Sequence, residues 1–241
     1  MTTIPSGVFK NLDVLNLHIS NSKLETISSD AFIGLEDKLI TLTLEKTLMK
    51  QIPHLQIQTL RALKTLDLSN NKLESIEDNV FANMQLSTLK LSDNNITISD
   101  KAFRGLESSL KNLNLKGTNL KSIPKAIMNL TSLAFLDLAQ NKIKAIAPDL
   151  LINLHSLTAI NLERNQIESL PQRVFIGIND SLSSLSLLNN LLVDFPSEAI
   201  SILTGLRVSL PTFTLTLSLH VINDLFFKSM DSLFFASKLN S

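Results

Sequence analysis

Apolar residues recur along this chain in a fixed order that repeats every 23 to 25 residues. The clearest copy, at 63–76, reads Leu-x-x-Leu-x-Leu-x-x-Asn-x-Leu-x-x-Ile. Each copy opens with an apolar alternation, which predicts a short strand with one buried face, because successive side chains point to opposite sides. A unit of this length cannot bury its own apolar face, so the copies must stack as parallel neighbours. Eight complete copies begin at Val14, Leu39, Leu63, Leu86, Leu110, Leu133, Leu157 and Leu182.

The ninth position of each repeat carries a side chain that can hydrogen-bond to a turn. It is asparagine in five repeats and serine or threonine in three: Asn71, Asn94, Asn141, Asn165, Asn190, Ser22, Thr47 and Thr118. An amide can satisfy backbone groups that neighbouring strands leave unpaired, and a hydroxyl can do so with shorter reach. We therefore predict that this column is a structural ladder.

The return half of each repeat keeps one large apolar residue at a similar place. Phenylalanine occupies it at Phe32, Phe81, Phe103 and Phe175, with Phe9 in a preceding partial unit, and the aliphatic substitutes are Ile57, Ile127, Leu151 and Ile200. These side chains are predicted to form a buried spine. Prolines at 5, 53, 124, 171 and 196 favour extended or turn backbone over long helices on this side.

The pattern divides the chain into a solenoid at 1–205 and a segment at 206–241 that departs from the repeat. The solenoid comprises a partial repeat at 1–13 and eight repeats at 14–205, so its first sheet edge and apolar underside are expected to be open. A ninth repeat begins at Leu206 and then degenerates, since Ser209 and Pro211 replace core leucines. Residues 212–221 alternate as an edge strand would, and 222–239 have the spacing of an amphipathic helix, although disorder is equally compatible.

Side chains that alternate with the leucines point away from the core, so they are expected to line the concave surface that solenoids commonly use for binding. The central column of this surface comprises His18, Thr43, Asp67, Lys90, Asn114, Asp137, Asn161 and Ser186. The first column comprises Asn16, Thr41, Thr65, Thr88, Asn112, Phe135, Ala159 and Ser184. The third column comprises Ser20, Glu45, Ser69, Ser92, Lys116, Ala139, Glu163 and Leu188.

Phe135 is the aromatic residue of these three columns, and two interpretations of it remain open. With Ala139, Ala159 and Leu188 it could form a contact patch, because aromatic anchors dominate many interfaces. A single exposed apolar side chain is also common on soluble proteins. The candidate binding residues are therefore the central column together with Phe135, Glu163 and Leu188.

Composition excludes several classes of function. The 22 basic and 22 acidic residues give no field that would attract nucleic acid or anionic lipid. The most membrane-like stretch, 208–222, is shorter than the roughly 20 apolar residues that a spanning helix needs, and it contains Pro211 and His220. The chain has no cysteine, so disulfides and thiolate chemistry are excluded. Residues 1–10 contain no apolar signal-peptide core.

No constellation of residues predicts catalysis, a cofactor or a metal. The four histidines are scattered without a His-Glu-x-x-His pair, and the six glycines form no phosphate-binding loop. Ser122-Ile-Pro-Lys125 and Ser92-Asp-Asn94 resemble two signatures of penicillin-binding enzymes, but their order is reversed and Lys-Thr-Gly is absent. We expect this chain not to be an enzyme.

Three Asn-x-Ser/Thr sequons are compatible with a secreted protein. They begin at Asn95, Asn129 and Asn179 and make these residues candidate glycosylation sites.

The repeat motif and the trailing Phe-x-Gly-Leu at 32–35 and 103–106 resemble the typical extracellular class of leucine-rich repeats. Within that class, the Ser or Thr at the ladder position and the spacers at 34–39 and 105–110 are similar to chaoptin-like cell-surface adhesion proteins. The resemblance implies an α/β horseshoe, with a parallel β-sheet on its concave face and short 3-10 or irregular segments on its convex face. It also implies binding to a protein ligand or cell-surface partner.

Two functions follow as expectations. The first is a non-enzymatic adhesion or ligand-binding module of an extracellular or cell-surface protein, present here as a fragment or variant form. The second is a cytoplasmic scaffold or regulatory subunit that binds a signalling protein through the same face. The missing cysteines and signal segment favour the second, whereas the phenylalanine-bearing repeat class and the sequons favour the first.

Overall fold

The protein is a stack of parallel-stranded repeats. The computed structural model describes residues 1–194 and 196–203, together with the backbone of Thr214–Thr216. In chain order its strands are β1 Thr3–Ile4, β2 Asn16–Ser20, β3 Thr26–Ile27, β4 Thr41–Glu45, β5 Thr65–Asp67, β6 Ser75–Ile76, β7 Thr88–Lys90, β8 Thr97–Ile98, β9 Asn112–Asn114, β10 Phe135–Asp137, β11 Ala159–Asn161, β12 Ser184–Ser186 and β13 Thr214–Thr216. Short helices α1 His54–Ile57 and α2 Ser197–Ser201 and a 3-10 helix, Lys125–Asn129, lie on the return halves.

One parallel sheet contains a strand from each of the eight predicted repeats. Within the described residues its order is β13-β12-β11-β10-β9-β7-β5-β4-β2, so each strand pairs with that of the next repeat. The pairing keeps equivalent positions opposite one another, as in Leu42 with Leu66 and Leu113 with Leu136. The predicted solenoid architecture is confirmed, and the register places each leucine column in one line inside the stack.

The leucine columns form a continuous apolar core. The inward-pointing residues of the central strands, such as Leu66, Leu89, Leu113 and Leu136, are fully buried. Burial of apolar area on both sides of each repeat supplies the main driving force for stacking. The core therefore depends on contacts between neighbouring repeats.

The asparagine column acts as the predicted ladder. Asn141 donates from Nδ2 to the carbonyl oxygens of Leu115, one repeat earlier, and Leu138, in its own repeat, at 2.9 and 3.0 Å. Its Oδ1 accepts the backbone N–H groups of Thr118 and Leu120 at 3.1 and 2.9 Å. The equivalent asparagines Asn71, Asn94, Asn165 and Asn190 likewise bond to their own and the preceding repeat. One side chain thus satisfies buried backbone groups of two repeats.

The residue before each ladder position has a left-handed backbone conformation. The repeat pattern does not predict this feature. The φ of this residue lies between 51° and 65° in all eight repeats, at Asn21, Lys46, Asn70, Asp93, Gly117, Gln140, Arg164 and Asn189. This conformation turns the chain sharply after the strand, and it costs little for glycine or asparagine but more for lysine or arginine. The packed ladder side chain that follows holds the turn in place.

The return halves are short and irregular, as the prolines indicate. Phe32, Phe81, Phe103 and Phe175 are buried, and Phe9 is half-buried, so the predicted spine is confirmed. The rings stack in two pairs, Phe9 with Phe32 at 6.0 Å and Phe81 with Phe103 at 6.2 Å between centroids. The substitutes Ile57, Ile127, Leu151 and Ile200 are buried at the same place.

The glycine of the Phe-x-Gly-Leu motif allows one return segment to approach the next. Gly34 has a φ of +91°, and a Cβ at this position would lie 2.7 Å from the carbonyl oxygen of Lys10 in the preceding unit. Its N–H donates to Oε2 of Glu36 at 2.8 Å, and the N–H of Gly105 donates to Glu107 in the same way. The spacing between phenylalanine and glycine therefore reflects close packing of backbones.

The two ends of the described solenoid differ from its middle. On β2 the inward-facing Leu17 and Ile19 are only half-buried, and the neighbouring Leu15 is 54% exposed. At the other end β13 pairs in parallel with β12, with Leu215 opposite Leu185. This short strand, Thr214–Thr216, lies within the segment 212–221 for which an edge strand is predicted. The predicted start of a ninth repeat at Leu206 and the helix at 222–239 lie outside the described residues.

Replacing Asn141 with alanine should destabilise the protein strongly. The substitution leaves the buried N–H groups of Thr118 and Leu120 without this partner, and each unsatisfied buried group costs about 1–3 kcal/mol. We expect the free energy of unfolding in urea to fall by at least about 2 kcal/mol. Asn112→Ala is the matched control, because Asn112 is exposed on β9 and should change stability by no more than about 0.5 kcal/mol. Equal losses would contradict the ladder's role.

Candidate concave binding site

The central column is continuous across the sheet. Pairing places His18 opposite Thr43, Thr43 opposite Asp67, and Asp67 opposite Lys90. The column continues through Asn114, Asp137, Asn161 and Ser186 on β9 to β12. Adjacent strands in a sheet lie about 4.8 Å apart, so these side chains form one row of neighbouring groups. The sequence prediction that these residues share one face agrees with this register.

Four members of the central column also terminate their strands. A side-chain oxygen of Asp67, Asn114, Asp137 and Asn161 accepts the backbone N–H two residues later, at 2.9 to 3.1 Å. Such Asx turns explain why aspartate or asparagine recurs at this position. The sequence pattern predicts only ligand contact for these residues and does not indicate this turn. These residues therefore have a structural role, and only their remaining polar atoms are available to a partner.

The third column is less exposed than its position in the alternation suggests. Ser69 and Ala139 are buried, with 5% and 4% of their surface accessible, because the chain begins to turn inward after the strand. Glu163 and Leu188 are half-buried and still reach the surface. The expected contribution of Ala139 to an apolar patch around Phe135 is therefore wrong.

Phe135 is placed on the concave face at the start of β10. Its side chain is 39% exposed, and its partners across the sheet are Asn112 and Ala159. Asn112 is exposed and Ala159 is half-buried, so one flank of the ring is polar and the other is small and apolar. Part of the ring is therefore accessible on this face of the sheet.

Two aspartates of the central column have different electrostatic surroundings. Asp67 faces Lys90 on the next strand, with the Nζ and Oδ2 atoms 3.3 Å apart. Asp137 faces the neutral Asn114 and Asn161, and no ion pair to it occurs within the described residues. Burial raises the pKa of Asp137 above its ordinary value of 3.8, against the opposing effects of the Ala139 N–H and of Lys116, and the nearby Glu163 raises it further. Asp137 is thus a half-buried carboxylate with no ion pair among the described residues, although Lys116 lies near enough to lower its pKa.

The sequon asparagines lie away from the concave columns. Asn95 is exposed, and its Oδ1 accepts a hydrogen bond from Nδ2 of Asn119 at 2.9 Å. The Nδ2 atom of Asn95 takes no part in that hydrogen bond. Asn129 is exposed at the end of the 3-10 helix. Asn179 is half-buried, and its Nδ2 donates to Asp180. The first two positions have more room for a glycan than the third.

A cleft on the return side was not foreseen from the sequence. It has a volume of about 640 Å³ and lies beside β3, where α1 replaces a return strand. Gln56 partly replaces the missing strand pairing, because its Nε2 donates to the carbonyl oxygen of Ile27 at 2.9 Å. Leu55 at the rim is 68% exposed. The wall of the cleft is thus held by a side-chain hydrogen bond rather than by backbone pairing of two strands.

The described part of the chain shows neither a metal-binding cluster nor a membrane-spanning helix. No group of three or more histidine, aspartate or glutamate side chains there is arranged to hold a metal ion. None of the helices in that part has the length and apolar character that a bilayer span requires.

Asp137→Asn should raise the stability of the protein at neutral pH. A raised carboxyl pKa means that folding disfavours the ionised form, whereas an amide can still accept the N–H of Ala139. The variant's gain in Tm should be present at pH 7 and should vanish below about pH 3.8, where wild-type Asp137 is protonated in both states. Thermal denaturation between pH 3 and pH 8 measures the difference.

Asp67→Asn is the control for this measurement. It preserves the Asx turn but breaks the ion pair with Lys90, so its Tm at pH 7 should be unchanged or slightly lower. A loss of stability in Asp137→Asn at pH 7 would mean that the ionised carboxylate is favourable where it lies.

Comparison with known proteins agrees with this architecture. Residues 1–108 and 74–201 match six copies of the model for the BspA type leucine rich repeat region. Chaoptin of Drosophila melanogaster is 33% identical over 155 residues, covering 62% of this chain and 10% of chaoptin. Adenylate cyclase of Schizosaccharomyces pombe is 34% identical over 128 residues, covering 52% of this chain and 8% of the cyclase.

A solved structure has the same fold. A leucine-rich-repeat protein of Leptospira interrogans is 25% identical with a TM-score of 0.66, and the similarity covers 84% of this chain and 48% of that protein. The chain thus spans less than half of each of these three proteins. The stacked strands, the asparagine ladder and the match over residues 1–201 lead to one conclusion: the chain belongs to the leucine-rich-repeat family.

Proposed function

We propose that this chain is a non-enzymatic protein-binding module that recognises an extracellular or cell-surface partner through its concave face. Leucine-rich repeats are protein-interaction modules, and the relatives are mostly extracellular leucine-rich-repeat proteins. The observation that carries the proposal is the in-register row of polar side chains with Phe135 exposed beside it. A broad polar surface with one accessible aromatic anchor has the composition of many protein interfaces.

The rigidity of the concave face also supports the proposal. The strands are held by continuous pairing, and the Asx turns after Asp67, Asn114, Asp137 and Asn161 restrain the strand ends. A preorganised surface loses little conformational entropy when a partner binds. The sheet can therefore present its variable side chains in fixed positions.

An intracellular scaffold or regulatory subunit is the second candidate. The similarity to an adenylate cyclase favours it, because that protein is an enzyme that contains a segment resembling these repeats. In this case the same face would bind a signalling protein inside the cell.

Phe135→Ala should weaken partner binding and lower Tm only slightly. The ring is accessible on the sheet surface and is not part of the leucine core, so its loss removes an interface anchor rather than stacking contacts. Binding of the immobilised chain to an array of recombinant secreted and cell-surface ectodomains measures the effect. We expect the affinity of the ectodomains that bind to fall about tenfold or more.

Leu55→Ala is the matched control for this experiment. Leu55 is an exposed apolar residue on the return side, so its replacement should leave ectodomain binding unchanged. Equal affinities for wild type and Phe135→Ala, or an array in which no ectodomain binds, would contradict the proposal.

Expression through the secretory pathway separates the two cellular settings. The exposed Asn95 and Asn129 should carry N-linked glycans, so an N-glycosidase should shift the mobility of the secreted protein. An Asn95→Gln/Asn129→Gln double variant should lose most of this shift, whereas Asn179→Gln should lose little. A chain that is neither secreted nor glycosylated would favour the intracellular candidate.

A further inference from the structure

We infer that the concave face recognises an arginine side chain of its partner at Phe135 and Asp137. This inference rests on the proposed function and names the chemistry of the contact. Phe135 and Asp137 are two residues apart on β10 and therefore project from the same face of the sheet. Two residues of a strand span about 7 Å, so one side chain of a partner can contact both.

Asp137 supplies the charge for this contact. Its Oδ1 is used by the N–H of Ala139, and its second carboxylate oxygen has no hydrogen bond or ion pair within the described residues. Four polar side chains surround it: Asn114 and Asn161 on the adjacent strands, and Lys116 and Glu163 in the third column. Arg164 pairs with the carboxylate of Glu163 at 3.2 Å, and Lys116 lowers the pKa of Asp137 from a distance without forming an ion pair with it in the described structure.

Asp67 shows what satisfies a carboxylate at this position. It occupies the same place in its repeat and makes the same Asx turn, but Lys90 from the next strand lies 3.3 Å from its Oδ2. At the repeat of Asp137 the corresponding neighbour is Asn161. Within the described residues the solenoid therefore places a lysine in ion-pair contact with Asp67, whereas no cation makes such a contact with Asp137.

Phe135 selects the type of cation. A guanidinium group is planar and can lie over an aromatic face while its N–H groups point at a carboxylate. An ammonium group is more strongly hydrated and makes no such planar contact. With Ala159 small and half-buried beside the ring, an arginine side chain can reach Asp137 across the exposed surface of Phe135.

A selected peptide can test this contact directly. Random dodecapeptides displayed on phage are enriched on the full immobilised chain, and an enriched peptide is synthesised with arginine or with neutral, isosteric citrulline. We expect arginine to recur at one position of the enriched sequences. Replacing that arginine with citrulline should weaken binding about tenfold on wild type and less than twofold on Asp137→Asn, as measured by calorimetry.

Two variants complete the cycle. Phe135→Ala should also weaken the arginine peptide, whereas Asp37→Asn should bind it as wild type does, since Asp37 pairs with Arg61 and lies outside the three concave columns. A smaller effect of citrulline on Asp137→Asn than on wild type would show that the peptide arginine and Asp137 interact directly. Enrichment without an arginine preference, no enrichment at all, or equal effects of citrulline on wild type and Asp137→Asn would overturn the inference. Because the ectodomain array tests binding by the concave face separately, that proposal can survive each of these results.

Discussion

The need to satisfy buried backbone groups between repeats governs this structure. A strand of three to five residues followed by a sharp turn leaves N–H and C=O groups inside the stack that no strand pairing reaches. Asparagine at the ladder position bonds those groups in two repeats at once. Leucine burial supplies the driving force, but it is non-directional. The hydrogen bonds of the asparagine side chains fix the spacing and register of one repeat on the next.

Register in turn creates the surface. Because equivalent residues pair opposite one another, a position that varies among repeats becomes a row on the concave face. The row can then carry different chemistry at each step without disturbing the core. Asp67 with Lys90 and Asp137 with Asn161 illustrate this, since the same backbone presents a neutralised carboxylate in one repeat and an unpaired one in another.

Prediction from the sequence was most successful where the physics is periodic. The strands, inward leucines, asparagine ladder and phenylalanine spine all follow from spacing, because each repeat experiences the same environment as its neighbours. It was less successful where a residue has two roles. The aspartates and asparagines of the central column were assigned to binding alone, although four of them accept a backbone N–H and close the strand. Alternation along a strand indicates a face and gives no information about such local bonds.

By itself, the sequence determined that repeats stack, which side chains point inward and which columns lie on the opposite face of the sheet, since all of these depend on periodicity. The tertiary structure decided which outward residues are accessible and which charges are paired. Ala139 is buried despite its outward position, because the chain turns inward after the strand, and Leu188 remains half-buried in the same column. Exposure and ion pairing depend on distances between side chains of different repeats, and those distances arise only when the turns have set how each repeat lies on the next.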